Sequence, residues 1–216
     1  MGTYQMNQTI PLFPLPLVVF PEQALPLHIF EPRYRQMLAD VRAAQDLGEV
    51  APIGICLGED SDVSAPVGCA VLLEKVLNEY GDGRADIICV GYQRFTVGEI
   101  SRERSYLMVE ASFIEDEEEP LDVALLQRAQ QGYTRLLELA HEESGDHFES
   151  VVPQTAFQIA QSTALPIEGK QEMLQMTREN ERLLLLCSHF DELIPRLESR
   201  RAERVKIQSN GHSKDH

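Results

Sequence analysis

Apolar residues crowd the first third of the chain, then settle into a strand rhythm, and finally into a helical one. The segment Ile10–Leu38, IPLFPLPLVVFPEQALPLHIFEPRYRQML, is the densest. Pro11, Pro14, Pro16, Pro21 and Pro26 exclude a helix there, because each fixes φ and lacks an N–H donor. Leu12, Phe13, Leu15 and Leu17–Phe20 between them favour buried extended chain. The pattern predicts two short strands joined by a proline-bent corner, then a further extended piece over Leu25–Phe30. Glu31-Pro32 opens a helix, with proline where its missing N–H costs nothing. Tyr34, Met37, Leu38 and Val41 recur at helical spacing and predict its buried face.

Alternation returns over Ala51–Leu57 and again around Tyr106–Ile114, each a predicted strand. Between them, VGCAVLLEKVLNEY and RADIICVGYQRFTVGEI flank Gly81–Gly83, a hairpin signature. About six strands and one helix with closely spaced turns predict a small barrel or curled sheet. EDEEEP, residues 115–120, then interrupts the pattern, since like charges and a proline resist strand packing. Beyond it the period becomes helical. A long helix is predicted from Leu121 to about Glu143. A second has Pro153 in its first turn and carries Phe157 and Ala160, ending near Leu165-Pro166. A third spans about Glu168–Gln175. A last one starts near Arg178, with Pro195 expected to bend or interrupt it. The polar tail from about Arg200 is expected to fray. The prediction is an α+β chain: a β-rich subdomain over 8–117, a helical bundle over 118–200 and a disordered tail over 201–216.

Composition adds constraints. With 43% hydrophobic and 25% charged residues the chain can build and cover a core. A net charge of -16 argues against nucleic acid or an anionic membrane as partner. No apolar run reaches the roughly 20 residues that span a bilayer. The N-terminus MGTYQMNQT lacks the charged start and apolar stretch of a secretory signal. Cys56, Cys69, Cys89 and Cys187 form no C-x-x-C pair, and three lie in strand-like runs, so buried reduced thiols in the cytoplasm are expected.

Candidate chemistry is sparse. Gly169-Lys170 lacks the glycine five residues earlier, where Ala164 stands, and Gln171 replaces the magnesium-binding hydroxyl of a phosphate loop. The lysines Lys75, Lys170, Lys206 and Lys214 follow no peptidase motif. His28 lies among apolar residues, the setting of a structural histidine. His141 lacks a partner at i+4, where Gly145 stands, so no zinc helix forms. No catalytic residue, metal or cofactor is expected, and binding becomes the default.

PLFPLPLVVFPEQALPLHIFEPRYRQML resembles the opening signature of the Lon protease N-terminal, substrate-binding domain family. VGCAVLLEKV followed by GYQRFTVGEI, with Gly91, Arg94 and Phe95, matches the family's middle segment, and Lys170, Gln171, Leu174, Arg182 and Leu183 match its helical end. The resemblance implies a PUA-like β-rich pseudo-barrel packed on a C-terminal helical bundle, in a stand-alone form lacking the ATPase and peptidase domains. It also implies a non-catalytic module binding unfolded or degron-bearing polypeptide, or an adaptor or regulator of proteolysis, with a protease or chaperone among candidate partners. Arg33, Tyr34, Arg94 and Phe95 are the expected peptide-binding residues. Taken singly, however, Tyr34 and Phe95 read first as core and Arg33 and Arg94 as ion-paired; for Gly91 a bulge or sharp corner is favoured over ligand contact. A self-associating protein dimerised through its helices, or a protein with a small-molecule pocket between subdomains, are the alternatives.

Overall fold

The computed structural model describes residues 7–59, 62–144 and 152–211, with backbone alone at 141–144 and 205–211. The chain divides into two compact units, Met1–Glu117 with Pro166–Thr177, and Glu118–Leu165 with Arg178–His216.

The first unit holds β1 (Asn7–Leu15), β2 (Ala24–Ile29), α1 (Pro32–Asp46), β3 (Ile53–Glu59), β4 (Asp62–Val63), β5 (Val67–Glu79), β6 (Ala85–Ser101), β7 (Leu107–Phe113) and α4 (Ile167–Gln175). The strands form one sheet in the order β1-β7-β6-β5-β3-β4, closed by a parallel β1–β3 pair. Five strands therefore ring a core of Ile10, Leu12, Cys56, Ala70, Phe95, Leu107, Val109 and Ala111. All other pairings are antiparallel, and β2 is added outside the ring on β6.

The proline-rich opening differs from expectation. β1 is one continuous strand, and Leu17–Phe20 lie outside any strand. Residues 7–12 of β1 pair with β7, and residues 12–15 with β3. Pro11 and Pro14 thus each have a strand on one side only, and their missing N–H groups need not break a rung. β2 and α1 follow the prediction, and the buried residues of α1 are Tyr34, Met37, Leu38 and Val41.

α4, predicted among the C-terminal helices, joins the first unit. Its Gln171 side chain donates to the Val67 carbonyl of β5 at 2.9 Å.

The second unit contains α2 (Val123–Ser144), α3 (Ala156–Gln161) and α5 (Glu179–Gly211). Asp122 accepts from the Leu125 N–H at 3.0 Å and caps the start of α2. α2 packs on α5 where Gly132 leaves room for Phe190, whose ring a β-carbon would meet at 2.3 Å. Arg182 is buried, pairs with Glu179 at 3.3 Å and lies 4.4 Å above the Phe157 ring.

Pro153 precedes α3 rather than entering it, and Thr155 provides the cap. α5 runs through Pro195, which is exposed, so the carbonyl it leaves unbonded faces water. The same helix takes in residues 200–211, predicted to fray; 212–216 lie outside the described residues.

Candidate functional site

The four residues singled out in the sequence do not form one exposed face. Phe95 is fully buried inside the strand ring, where β-carbons at Gly54 and Gly68 would meet its ring at 2.8 and 2.9 Å. Tyr34 is buried and stacks on Phe13 with ring centroids 3.8 Å apart. Arg94 is 3% exposed; its Nη1 donates to the carbonyls of Leu174 at 2.7 Å and Met176 at 2.6 Å, and its Nη2 to Asp116. It therefore satisfies the last carbonyls of α4, complements that helix's negative end, and ties it to β6. Arg33 is half-buried, donates to Glu31 at 2.9 Å and lies 4.5 Å above the Tyr34 ring. Burial removes Arg94 and Phe95 from any surface a polypeptide would meet and leaves Tyr34 little to offer one.

Gly91 follows its corner reading. A β-carbon there would lie 2.0 Å from the Phe20 carbonyl oxygen. The Gly91 backbone instead accepts from the Glu22 N–H at 2.8 Å and donates to the Gln23 carbonyl at 2.9 Å, which brings β2 onto β6.

That attachment builds a three-stranded sector, β5–β6–β2, with two unlike faces. The register aligns Leu73–Cys89–Leu25 and Val76–Ile87–Leu27 on one side. Cys89, Leu25 and Ile87 there are buried. On the other side it aligns Leu72–Val90–Ala24, Lys75–Ile88–Pro26 and Asn78–Asp86–His28. Ala24, Pro26, His28, Lys75 and Asn78 are exposed, and Leu72, Asp86, Ile88 and Val90 are partly buried; five of the nine are apolar, besides the rings beside them. Phe30, 57% exposed, lies 5.9 Å from the His28 ring, and Tyr80, 41% exposed, meets the same ring edge-on at 6.1 Å. An antiparallel sheet usually turns a polar face to water; this one turns Leu72, Ile88, Val90 and Pro26.

The polar row closes one end of that face. Asp86 accepts from His28 Nδ1 at 2.6 Å, Tyr80 O–H at 2.7 Å and Asn78 Nδ2 at 3.1 Å. The His28 bond first, then those of Tyr80 and Asn78, holds its carboxyl down at about 2. Sequence reasoning missed this cluster because the three strands meet only through the register; the alternation in DIICV was its sole trace.

β2 also carries the sector's free edge. The Gly91 N–H bond to Gln23 sets the alternation, so Leu25, Leu27 and Ile29 direct their backbone groups to β6, and Ala24, Pro26 and His28 direct theirs outward. Pro26 has no N–H to offer an added strand, which blunts this edge.

Two clefts border α1. One, of about 430 Å³, lies against the β5–β6 hairpin and is lined by Arg35, Arg42, Glu79, Tyr80 and Arg84 among others. The other, of about 160 Å³, is lined by Arg33, Tyr34, Arg102, Arg104 and Tyr106. Tyr106 donates to Asp40 at 2.6 Å, the main reason that carboxyl sits below its usual range.

Burial pushes the thiols of Cys56, Cys69 and Cys89 up to about 12, so they remain protonated and unreactive. Among the described residues no three His, Cys, Asp or Glu side chains are placed to hold a metal, and no helix is long and apolar enough to cross a membrane.

Comparison with known proteins agrees with the fold. Residues 9–192 match the family model of the ATP-dependent protease La (LON) substrate-binding domain. The crystal structure of a Lon N-terminal domain protein from Xanthomonas campestris is 25% identical, with a TM-score of 0.64 over 84% of this chain and 98% of that one. The N-terminal domain of Mycobacterium avium complex Lon protease shares the fold at 15% identity, with a TM-score of 0.62 over 86% of this chain and all of that one.

Proposed function

Because this chain belongs to the family of LON substrate-binding domains, we propose that it recognises unfolded or degron-bearing polypeptide without catalysing its cleavage, as an adaptor or regulator of proteolysis. The family is one of substrate-recognition modules. The outward face of β5–β6–β2 is the observation that carries the finer reading. Leu72, Ile88, Val90 and Pro26 form a contiguous apolar strip, with Phe30 and Tyr80 at its rim. Such a strip suits an extended chain that offers apolar side chains without regard to sequence. Covering the remaining exposed part of Ile88 or Val90 would contribute roughly 1 kcal/mol each. A few such contacts give the weak, exchangeable binding that a receptor for unfolded chains requires. The proline in the β2 edge favours contact through side chains on the face over addition of a strand.

The test is a fluorescence-anisotropy titration with a labelled casein peptide. Wild-type protein should bind it at micromolar concentration, and Ile88→Asp combined with Val90→Asp should weaken binding at least about tenfold while the melting transition remains cooperative. Absence of binding at high micromolar concentration, or an unchanged affinity in a folded double variant, would refute the reading.

A further inference from the structure

We propose that the two clefts bordering α1 take an acidic segment of the bound polypeptide, its carboxylates held by Arg33, Arg35, Arg42, Arg84, Arg102 and Arg104. The inference deepens the polypeptide-recognition reading and rests on it.

Its ground is the distribution of charge. The chain carries a net charge of -16, yet all arginines of the first unit except Arg94 line these clefts. Arg94 is buried and occupied with α4. The first unit thus places six of its seven arginines in the two clefts that border one helix. The hairpin residue Tyr80 joins the two surfaces: it lines the larger cleft and bonds to Asp86 at the end of the apolar face. Lys75 stands within that face, directly across from Ile88.

The cations are of the right kind. A guanidinium presents five N–H groups in a planar fork that matches a carboxylate. Arg42 pairs with Glu79, Arg84 with Asp82 at 2.8 Å, and Arg104 with Asp40 at 3.1 Å. Arg35 donates to the Asp82 carbonyl. Arg104 also donates to the Tyr106 hydroxyl at 2.8 Å from the same nitrogen, so its other donors can meet a second acceptor, and the side chains of Arg42, Arg84 and Arg104 are about half exposed.

A polypeptide fits better than a nucleic acid. The acidic remainder of the chain repels a long polyanion. Glu79 and Asp40 in or beside the clefts would face successive phosphates, whereas carboxylates spaced along a peptide can fall between them.

The experiment compares two labelled casein peptides of one sequence, differing only in Asp and Glu replaced by Asn and Gln, with oligouridylate of equal length as a third probe. Wild-type protein should bind the acidic peptide at least about tenfold tighter than its amide twin, with the gap narrowing as salt rises. The Arg35→Gln, Arg42→Gln, Arg84→Gln variant should bind the twins within about twofold of each other. Equal affinity of the twins for wild-type protein overturns the inference while sparing the polypeptide reading, and this arm needs no variant to fold. Tighter binding of the oligouridylate than of the acidic peptide overturns it in favour of nucleic acid. Binding of neither peptide removes both readings together.

Discussion

β6 has two ends with opposite fates. Asp86 and Ile88, near its start, look outward, while Arg94 and Phe95, further along the same strand, are closed in. The early part lies between β5 and the added strand β2, so one of its faces has nothing of the first unit's ring over it. The later part lies in the ring, between β5 and β7, where alternate side chains point into the core or under α4. The lesson is that the residues richest in apparent chemistry, an arginine beside a phenylalanine, hold the unit together. The plainer run DIICV places Asp86, Ile88 and Val90 on the outward face.

That contrast can be broken most forcefully at Phe95. Phe95→Ala should destabilise the first unit by about 3–5 kcal/mol, because the ring fills space that Gly54 and Gly68 leave open; urea unfolding measures it, and a loss under 1 kcal/mol would place Phe95 outside the core. Arg94→Ala should cost roughly 3 kcal/mol, since it leaves two helix-end carbonyls without their donor. Its effect on peptide affinity in the folded fraction should be within twofold, and a larger change would return Arg94 to the binding surface. Thiol chemistry sharpens the same division: Cys56, Cys69 and Cys89, with their protons held to about 12, should resist iodoacetamide at pH 8 until urea unfolds the unit. Rapid native labelling would contradict the closed core.

The smallest effect concerns the exposed end. Asp86 has its carboxyl pulled down to about 2, chiefly by His28. A depressed carboxylate contributes stability that is complete above its unfolded value near ~3.9 and is lost as pH falls towards about 2. Tyr80→Phe should shift the Asp86 midpoint upward in an NMR-monitored titration, because one donor to the carboxylate disappears. An unshifted midpoint would mean the three-donor cluster does not persist in solution.

Much of the fold was legible along the chain. Period-two alternation and Gly81–Gly83 mark the hairpin, and Tyr34, Met37, Leu38 and Val41 mark the buried stripe of α1. The opening was misread because proline is judged by local rules: Pro11 and Pro14 forbid a strand only where both neighbours need their N–H, and each has one neighbour. α4 was grouped with the wrong helices because nothing local says which apolar surface a helix will cover. Its place depends on Gln171 meeting Val67 and on Arg94 reaching Leu174, contacts that span most of the chain.

By itself, then, the sequence determined the kind of most elements, though not of Leu17–Phe20 or of residues 200–211, because φ restriction, side-chain period and charge runs act over a few residues. Only the tertiary structure decided which apolar and charged residues face outward. Exposure depends on strand register and on closure of the β1–β3 pair, both set by contacts between residues far apart in the chain. The adjacent isoleucines Ile87 and Ile88 became one core residue and one partly exposed residue, and that choice belongs to the partner strands.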